Sequence, residues 1–201
     1  MSSADTYFNP AEKPYGLSFG EWTVKWWRWI VSIPIERNPA LDYVGQNSGA
    51  NQTAPVWFLA GTFGENKRPI RKCTVPRNMA FFFPIINYEI NQLEDSSLKS
   101  DQEMISHVVD DINDIIKKVV TVDGNNIPAY RVQSSPEVFY LNLGPSNCLG
   151  LKPGLVKVAA DGYWAFLKPL SIGEHEIFFH GSCSGGIRNS TAQYFLSVGT
   201  Q

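Results

Sequence analysis

Between positions 18 and 33 the apolar residues fall at helical spacing on two sides of one helix. At about 100° per residue, Trp22, Trp26, Trp29, Ile30 and Ile33 share one face, while Val24, Trp27 and Val31 point nearly opposite. Glu21, Lys25, Arg28 and Ser32 line up between them as a narrow polar stripe. Ser18-Phe19-Gly20-Glu21 has the form of a capping box, Leu17 can staple onto Trp22, and Pro34 ends the run. The pattern predicts a helix over 18–33 that is enclosed on most of its circumference, since a helix with one wet side keeps a broad polar face. Glu21 stands four residues before Lys25, the favourable order for an ion pair.

Before this helix, residues 1–17 carry Pro10, Pro14 and Gly16 without periodicity and are expected to form an extended arm. After it, 34–54 turn to Asn, Gly, Pro and Gln and should be a long loop. Strands are predicted at Pro55–Ala60, Arg71–Val75 and Met79–Ile86, with Pro84 implying an edge or a bulge. A second capping box at Ser100–Glu103 opens a helical repeat running to Val119, an amphipathic helix lying on a sheet. Further strands are expected near Ile127–Val132, Glu137–Leu143, Leu155–Ala160, Tyr163–Lys168, Glu174–His180 and Thr191–Val198. Asp123-Gly124 and Asp161-Gly162 read as tight turns. The whole, residues 1–201, is expected to be one mainly β domain, an antiparallel, jelly-roll-like β-sandwich with two helices.

Composition narrows the function classes. Charged residues are 18% and aromatic residues 13% of the chain, so either the core is large or apolar surface meets a partner. The net charge is −2 and the 17 Lys and Arg residues do not cluster, which argues against nucleic acid as a partner. The longest apolar run, Met79–Ile86, falls far short of the ~20 residues of a membrane span. No basic segment and apolar stretch follows Met1, so the expected location is cytoplasmic if Met1 is native, and extracytoplasmic if a signal peptide has been removed. Cys73, Cys148 and Cys183 are scattered without metal-ligand spacing and are read as reduced thiols, with no disulfide needed for folding. No metal and no cofactor is expected.

Several stretches carry a resemblance. Tyr15-Gly16-Leu17-Ser18-Phe19-Gly20-Glu21-Trp22 with Trp26-Trp27-Arg28-Trp29, Pro55-Val56-Trp57-Phe58-Leu59-Ala60-Gly61-Thr62, Cys73-Thr74-Val75-Pro76 and Asp161-Gly162-Tyr163-Trp164 through Lys168-Pro169-Leu170-Ser171 resemble a prokaryotic family of uncharacterised proteins. The resemblance covers most of the chain and implies no activity. It implies cysteines near positions 48 and 90, where this chain has Ser48 and Ile90, so Cys73 is expected to lack a partner.

Two function classes remain. The first is a non-catalytic protein that binds a ligand, a saccharide among the options, or associates with its own copies through aromatic surface. Trp22, Trp26 and Trp29 are core by their spacing, whereas Trp27, Trp57 and Trp164 are less constrained and one of them is free to present its ring to a ligand. If Tyr163–His180 is a hairpin, Trp164 lies across from Phe178 and beside Glu176, and these with Trp57 are the predicted contact residues. The second class is a hydrolase acting on a saccharide or small substrate, with Glu21, Glu89, Asp161 and His175 as the polar groups and Asp42 in reserve. Their ordinary roles compete: Glu21 closes a cap, Asp161 precedes a turn glycine, and His175 and His180 point to opposite strand faces, which excludes a shared metal. Gly181-Ser182-Cys183-Ser184-Gly185 imitates a nucleophile elbow without a following helix and is read as a loop.

Overall fold

The computed structural model describes residues 6–64, 67–186 and 188–199. The first five residues of the expected arm lie outside them. The elements are α1 (Phe19–Val31), β1 (Val56–Phe58), β2 (Ile70–Pro76), β3 (Ala80–Asn91), α2 (Asp101–Asn113), β4 (Ile115–Val122), β5 (Asn125–Asn126), β6 (Tyr130–Arg131), β7 (Val138–Leu143), β8 (Gly154–Leu167), β9 (Gly173–Cys183) and β10 (Asn189–Gly199). The protein is mainly β, with two sheets and two helices. One sheet runs β1-β3-β8-β6 with β7 also on β8, and the other runs β2-β10-β9-β4-β5. Most pairings are antiparallel as expected, but β1 with β3 and β2 with β10 are parallel, so both sheets are mixed.

The first sheet is covered on both sides, and this explains the unbroken apolar run in β3. Ala80 and Phe82 join α1, Trp164 and Phe166 in one cluster, while Phe81, Phe83 and Ile85 point the other way into a cluster with Ile177, Phe179, Tyr194 and Leu196 of the second sheet. Pro84 sits in a bulge of this central strand, not on an edge.

Helix α1 meets its prediction closely. All four of its tryptophans are buried, as are Val24 and Val31, and the four residues left in solvent are Glu21, Lys25, Arg28 and Ser32. β7, through Phe139, Leu141 and Leu143, supplies part of the covering cluster on top of the first sheet. Three indoles are anchored to main chain, Trp22 to the Pro14 carbonyl (3.0 Å), Trp26 to Leu59 (2.8 Å) and Trp29 to Ala50 (2.9 Å). Both capping boxes form. Lys25, however, lies over the Trp22 ring at 5.6 Å while Glu21 is occupied by Ser18, so the expected ion pair gives way to a cation–π contact. The arm lies on the domain, with Phe8 bonded through its amide to the Phe166 carbonyl.

Four expectations are corrected. The second helix stops at Asn113, and Ile115–Val122 is strand β4, because its β-branched run alternates in burial, with Ile116 exposed and Val120 and Val122 in the core. The stretch Ile127–Val132 is broken by Pro128 into a crossing from β5 to β6. Gly181–Cys183 belongs to β9 and is not a loop. Most consequential, Asp161-Gly162 is not a turn: residues 154–167 form one continuous strand. At Asp123-Gly124 both φ values are positive (49° and 78°), as a type I′ turn requires, whereas neither Asp161 nor Gly162 has a positive φ. Gly162 instead permits close strand approach, since a Cβ there would stand 2.8 Å from Asn87 Cα.

With β8 and β9 in different sheets, the Trp164–Phe178 pairing disappears. Trp164 is 1% exposed, stacked on Phe82 at 5.0 Å and edge-on to Trp26 at 5.4 Å. Trp57 is likewise buried, in the core shared by the two sheets. Trp164→Ala is therefore expected to cost about 3–5 kcal/mol of unfolding free energy, through lost burial plus a cavity. Denaturant melts check this, and a variant with wild-type stability and altered self-association would restore the surface reading.

Candidate functional site

The sequence candidates are mostly dispersed. Glu21 is exposed and engaged in its cap, accepting from the Ser18 amide and hydroxyl (both 2.8 Å), and these bonds hold its carboxyl below the usual range. Asp161 is buried and accepts from Arg131 Nε (3.0 Å) and Nη2 (2.7 Å), and Arg131 reaches on to Asn113 and the Val109 carbonyl, tying α2 to the sheet. Asp42 accepts three backbone amides of its own loop, from Val44, Gly45 and Asn47. Phe178 is half-buried under Arg68 at 5.4 Å, and Glu176 accepts from Gln193 (2.8 Å), so these two lie on the outer side of the second sheet, away from Trp164.

His175 makes an arrangement that looks catalytic: Nδ1 is 2.7 Å from Asp123 Oδ2 and Nε2 is 3.2 Å from Ser171 Oγ. A serine nucleophile needs Nε2 as its proton acceptor. Here Nε2 is also 2.9 Å from the Ser171 carbonyl, which can only accept, so the proton sits on Nε2 and the base is spent. Burial lowers the His175 pKa, but the bonds to Asp123 and the Ser171 carbonyl and the charges of Asp123 and Glu174 outweigh it, and the net shift is upward. The imidazolium is a clasp joining the connection before β9 to the β4–β5 turn.

Glu89 is different. Its cross-strand partner is Ala160, and Asn91 faces Val158; both partners lie in the α1 cluster, so Glu89 and Asn91 point beneath α1, while Ile86 and Ile90 go to clusters with α2. A cavity of about 290 Å³ opens there, walled by Trp26 and Trp27 of α1, Ala60 and Gly61 after β1, Ile112 of α2 and Leu149 from the loop before β8. Glu89, Glu94, Tyr88, Asn87 and Arg188 form its polar part. Gly61 allows the wall to close, since a Cβ there would collide with Ser190 Oγ at 1.9 Å. Behind the wall the fully buried Arg71 binds the Ala40, Ala60 and Gly61 carbonyls and Tyr194 Oη, so its partners are carbonyls and a phenol rather than a carboxylate.

The two glutamates converge. Asn91 Nδ2 donates to Glu89 Oε2 (3.2 Å) and Glu94 Oε2 (2.5 Å), so one amide nitrogen draws the two carboxyls together. Burial, then the Glu94 charge, pushes Glu89 up to about 8, and burial also raises Glu94. One proton is thus shared by the pair near neutral pH. Neither glutamate takes part in an ion pair among the described residues. Trp27 Nε1 and Asn87 Nδ2, on two residues that line the cavity, are buried N–H groups with no partner, each a cost of about 1–3 kcal/mol. Glu94 was missed in the sequence because it belongs to a turn: Asn91 Oδ1 accepts the amides of Leu93 and Glu94, folding the chain back so that a residue five positions on meets Glu89. An Asn closing an apolar strand was the available signal.

Burial pushes Cys148 up to about 12 and Cys73 up to about 11, so both thiols stay protonated and unreactive. The three cysteines are free. No group of three or more His, Cys, Asp or Glu able to hold a metal occurs among the described residues, and no helix there is long and apolar enough to cross a membrane.

Two outcomes follow from the titrations. Because the Glu89 pKa is raised on folding, its contribution to stability is complete below the ordinary carboxyl range and is lost as pH rises through about 8. Unfolding free energy should fall by about 4 kcal/mol from about pH 5 to about pH 9, and Glu89→Gln should remove most of that slope; an unchanged slope contradicts the assignment. For His175, NMR titration should give an imidazole pKa above the ordinary value that drops in Asp123→Asn. A value unaffected by that substitution would dissolve the clasp.

No family model, no curated protein and no solved structure matches this chain. The sequence resemblance therefore has no counterpart in these comparisons, and the site rests on its own geometry.

Proposed function

We propose that the chain is a single-domain, jelly-roll-like sandwich that binds a small, largely apolar molecule in the cavity beneath α1. One observation carries the reading: apolar and aromatic side chains enclose space beside two converging carboxyls, Glu89 buried and Glu94 exposed, neither of which takes part in an ion pair among the described residues. The volume, about 290 Å³, stands at the lower end of small-molecule pockets, roughly 300–1,000 Å³. Polar groups confined to one side of such a pocket orient a ligand whose body is held by burial. The aromatic content that hinted at exposed stacking rings is accounted for by a large core. Association between copies retains only Phe178 and Glu176 of its predicted contact residues.

A second reading, acid–base catalysis, draws support from the same pair, since a protonated Glu89 beside a partly exposed Glu94 places an acid next to a base. Glycoside hydrolysis is the poorer form of it. Glu89 and Glu94 share the Asn91 amide instead of flanking an open cleft as glycosidase carboxyls do, and Glu21, Asp161 and His175 stand elsewhere with their own partners.

A fragment screen followed by two-dimensional NMR tests the proposal. Hits should perturb the indole N–H signals of Trp26 and Trp27 in the wild type, and Leu149→Trp, which fills the cavity from the half-buried side of its wall, should abolish them while leaving the rest of the spectrum in place. Perturbations that cluster on the outer side of the second sheet, or that persist in the filled variant, count against the cavity.

A further inference from the structure

Resting on the reading that this cavity binds a small molecule, we propose that its ligand is a small organic ammonium, seated with its N–H groups on the Glu89–Glu94 pair and its carbon skeleton against Trp26, Trp27 and Ile112. The ionisable groups around the pair come from every element that closes the cavity: Tyr88 beside it on β3, Asp111 of α2, Arg188 ahead of β10, and Cys148 from the loop before β8, whose thiol senses the Glu89 charge. Tyr88 and Cys148 are held neutral by burial. Arg188 is engaged by Asp111 and lies over the Tyr88 ring at 5.3 Å, and Asp111 is also 3.5 Å from His107. The guanidinium on this side therefore serves Asp111, and among the described residues no ion pair reaches the glutamate pair.

A buried carboxylate without a counter-ion is costly, and two adjacent ones relieve the cost by keeping a proton. An ammonium supplies the missing positive charge and several N–H donors, for which the pair offers acceptor oxygens once it has released that proton. Aromatic walls favour the same guest, because ring faces attract cations in a desolvated site. A carboxylate or phosphate guest would instead face like charge. A neutral guest would gain the walls but leave the pair as it is. The unpartnered N–H groups of Trp27, which is 3% exposed, and of Asn87 are a separate indication that the lining is incomplete on its own, and a hydroxyl or ether oxygen on the same molecule would meet them. The balance of the binding step is simple: the ammonium enters with its charge, the shared proton leaves to solvent, and no bond to carbon is made or broken.

Calorimetry with phenethylammonium, 2-phenylethanol and 3-phenylpropionate, run near pH 7 in two buffers of different ionisation enthalpy, decides the matter. The expected result is that phenethylammonium binds at least about tenfold more tightly than the alcohol and releases close to one proton, that 3-phenylpropionate is weakest, and that Glu89→Gln and Glu94→Gln each remove the preference. Glu89→Gln keeps the shape of the neutral acid, so a native near-ultraviolet spectrum shows that the variant is folded. Binding of the alcohol or the carboxylate as tightly as the amine, blocked by Leu149→Trp, overturns the ammonium while leaving the cavity as a ligand site. Failure of all three probes to bind overturns both.

Discussion

The constraint on which this structure turns is that the first sheet is buried on both faces. A sheet with one wet side can leave polar side chains and edge groups to water, but β3 and β8 have α1 and its loops above them and the second sheet below. Whatever they carry must be met inside the protein. Covering the upper face requires a helix that is itself surrounded, and four tryptophans supply the area that a single 13-residue helix needs to do so. The low share of charged residues follows from the same arrangement, because three layers leave comparatively little of the chain for solvent.

The polar residues of β3 gain their meaning from that enclosure. The bulge between Pro84 and Ile86 shifts the register, so that beyond it Glu89 and Asn91 point beneath α1 and Ile86 and Ile90 turn to α2. A glutamate on an exposed sheet would be ordinary. Beneath α1 it takes part in no ion pair among the described residues, and the neighbouring turn brings a second carboxyl to share its proton. Arg71 shows the contrasting solution: a buried charge spread over four carbonyls and a phenol, which holds the wall segments around Ala40, Ala60 and Gly61 in place.

How much of this the sequence reveals depends on whether the determining contact is local. Helix α1 was legible in its cap, its span and its enclosure, because all three are written in spacing within the helix. The failures share one cause. Asp123-Gly124 and Asp161-Gly162 are identical as dipeptides, yet the first turns and the second runs straight, and the difference lies in β3 and the short strands that flank β8. The misplacement of Trp164 followed directly from that. Ile115–Val119 continued a helical period by chance of composition, and only pairing with β9 decides for strand. Glu89 could be singled out as an acid after an apolar run, but its partner Glu94 depends on a turn and its unusual titration on a helix packed far away in sequence.

The central claim is that Glu89 and Glu94 hold one proton between them beneath α1. Carbon-13 NMR of the glutamate side-chain carboxyl carbons, followed across pH and assigned with Glu89→Gln, tests it most directly. The account predicts that the Glu89 resonance moves with a midpoint near 8 and that Glu94 reports the same coupled event. Two independent transitions at the ordinary carboxyl value of 4.5 would contradict it, and with it the account of the cavity as a site poised for a positively charged guest.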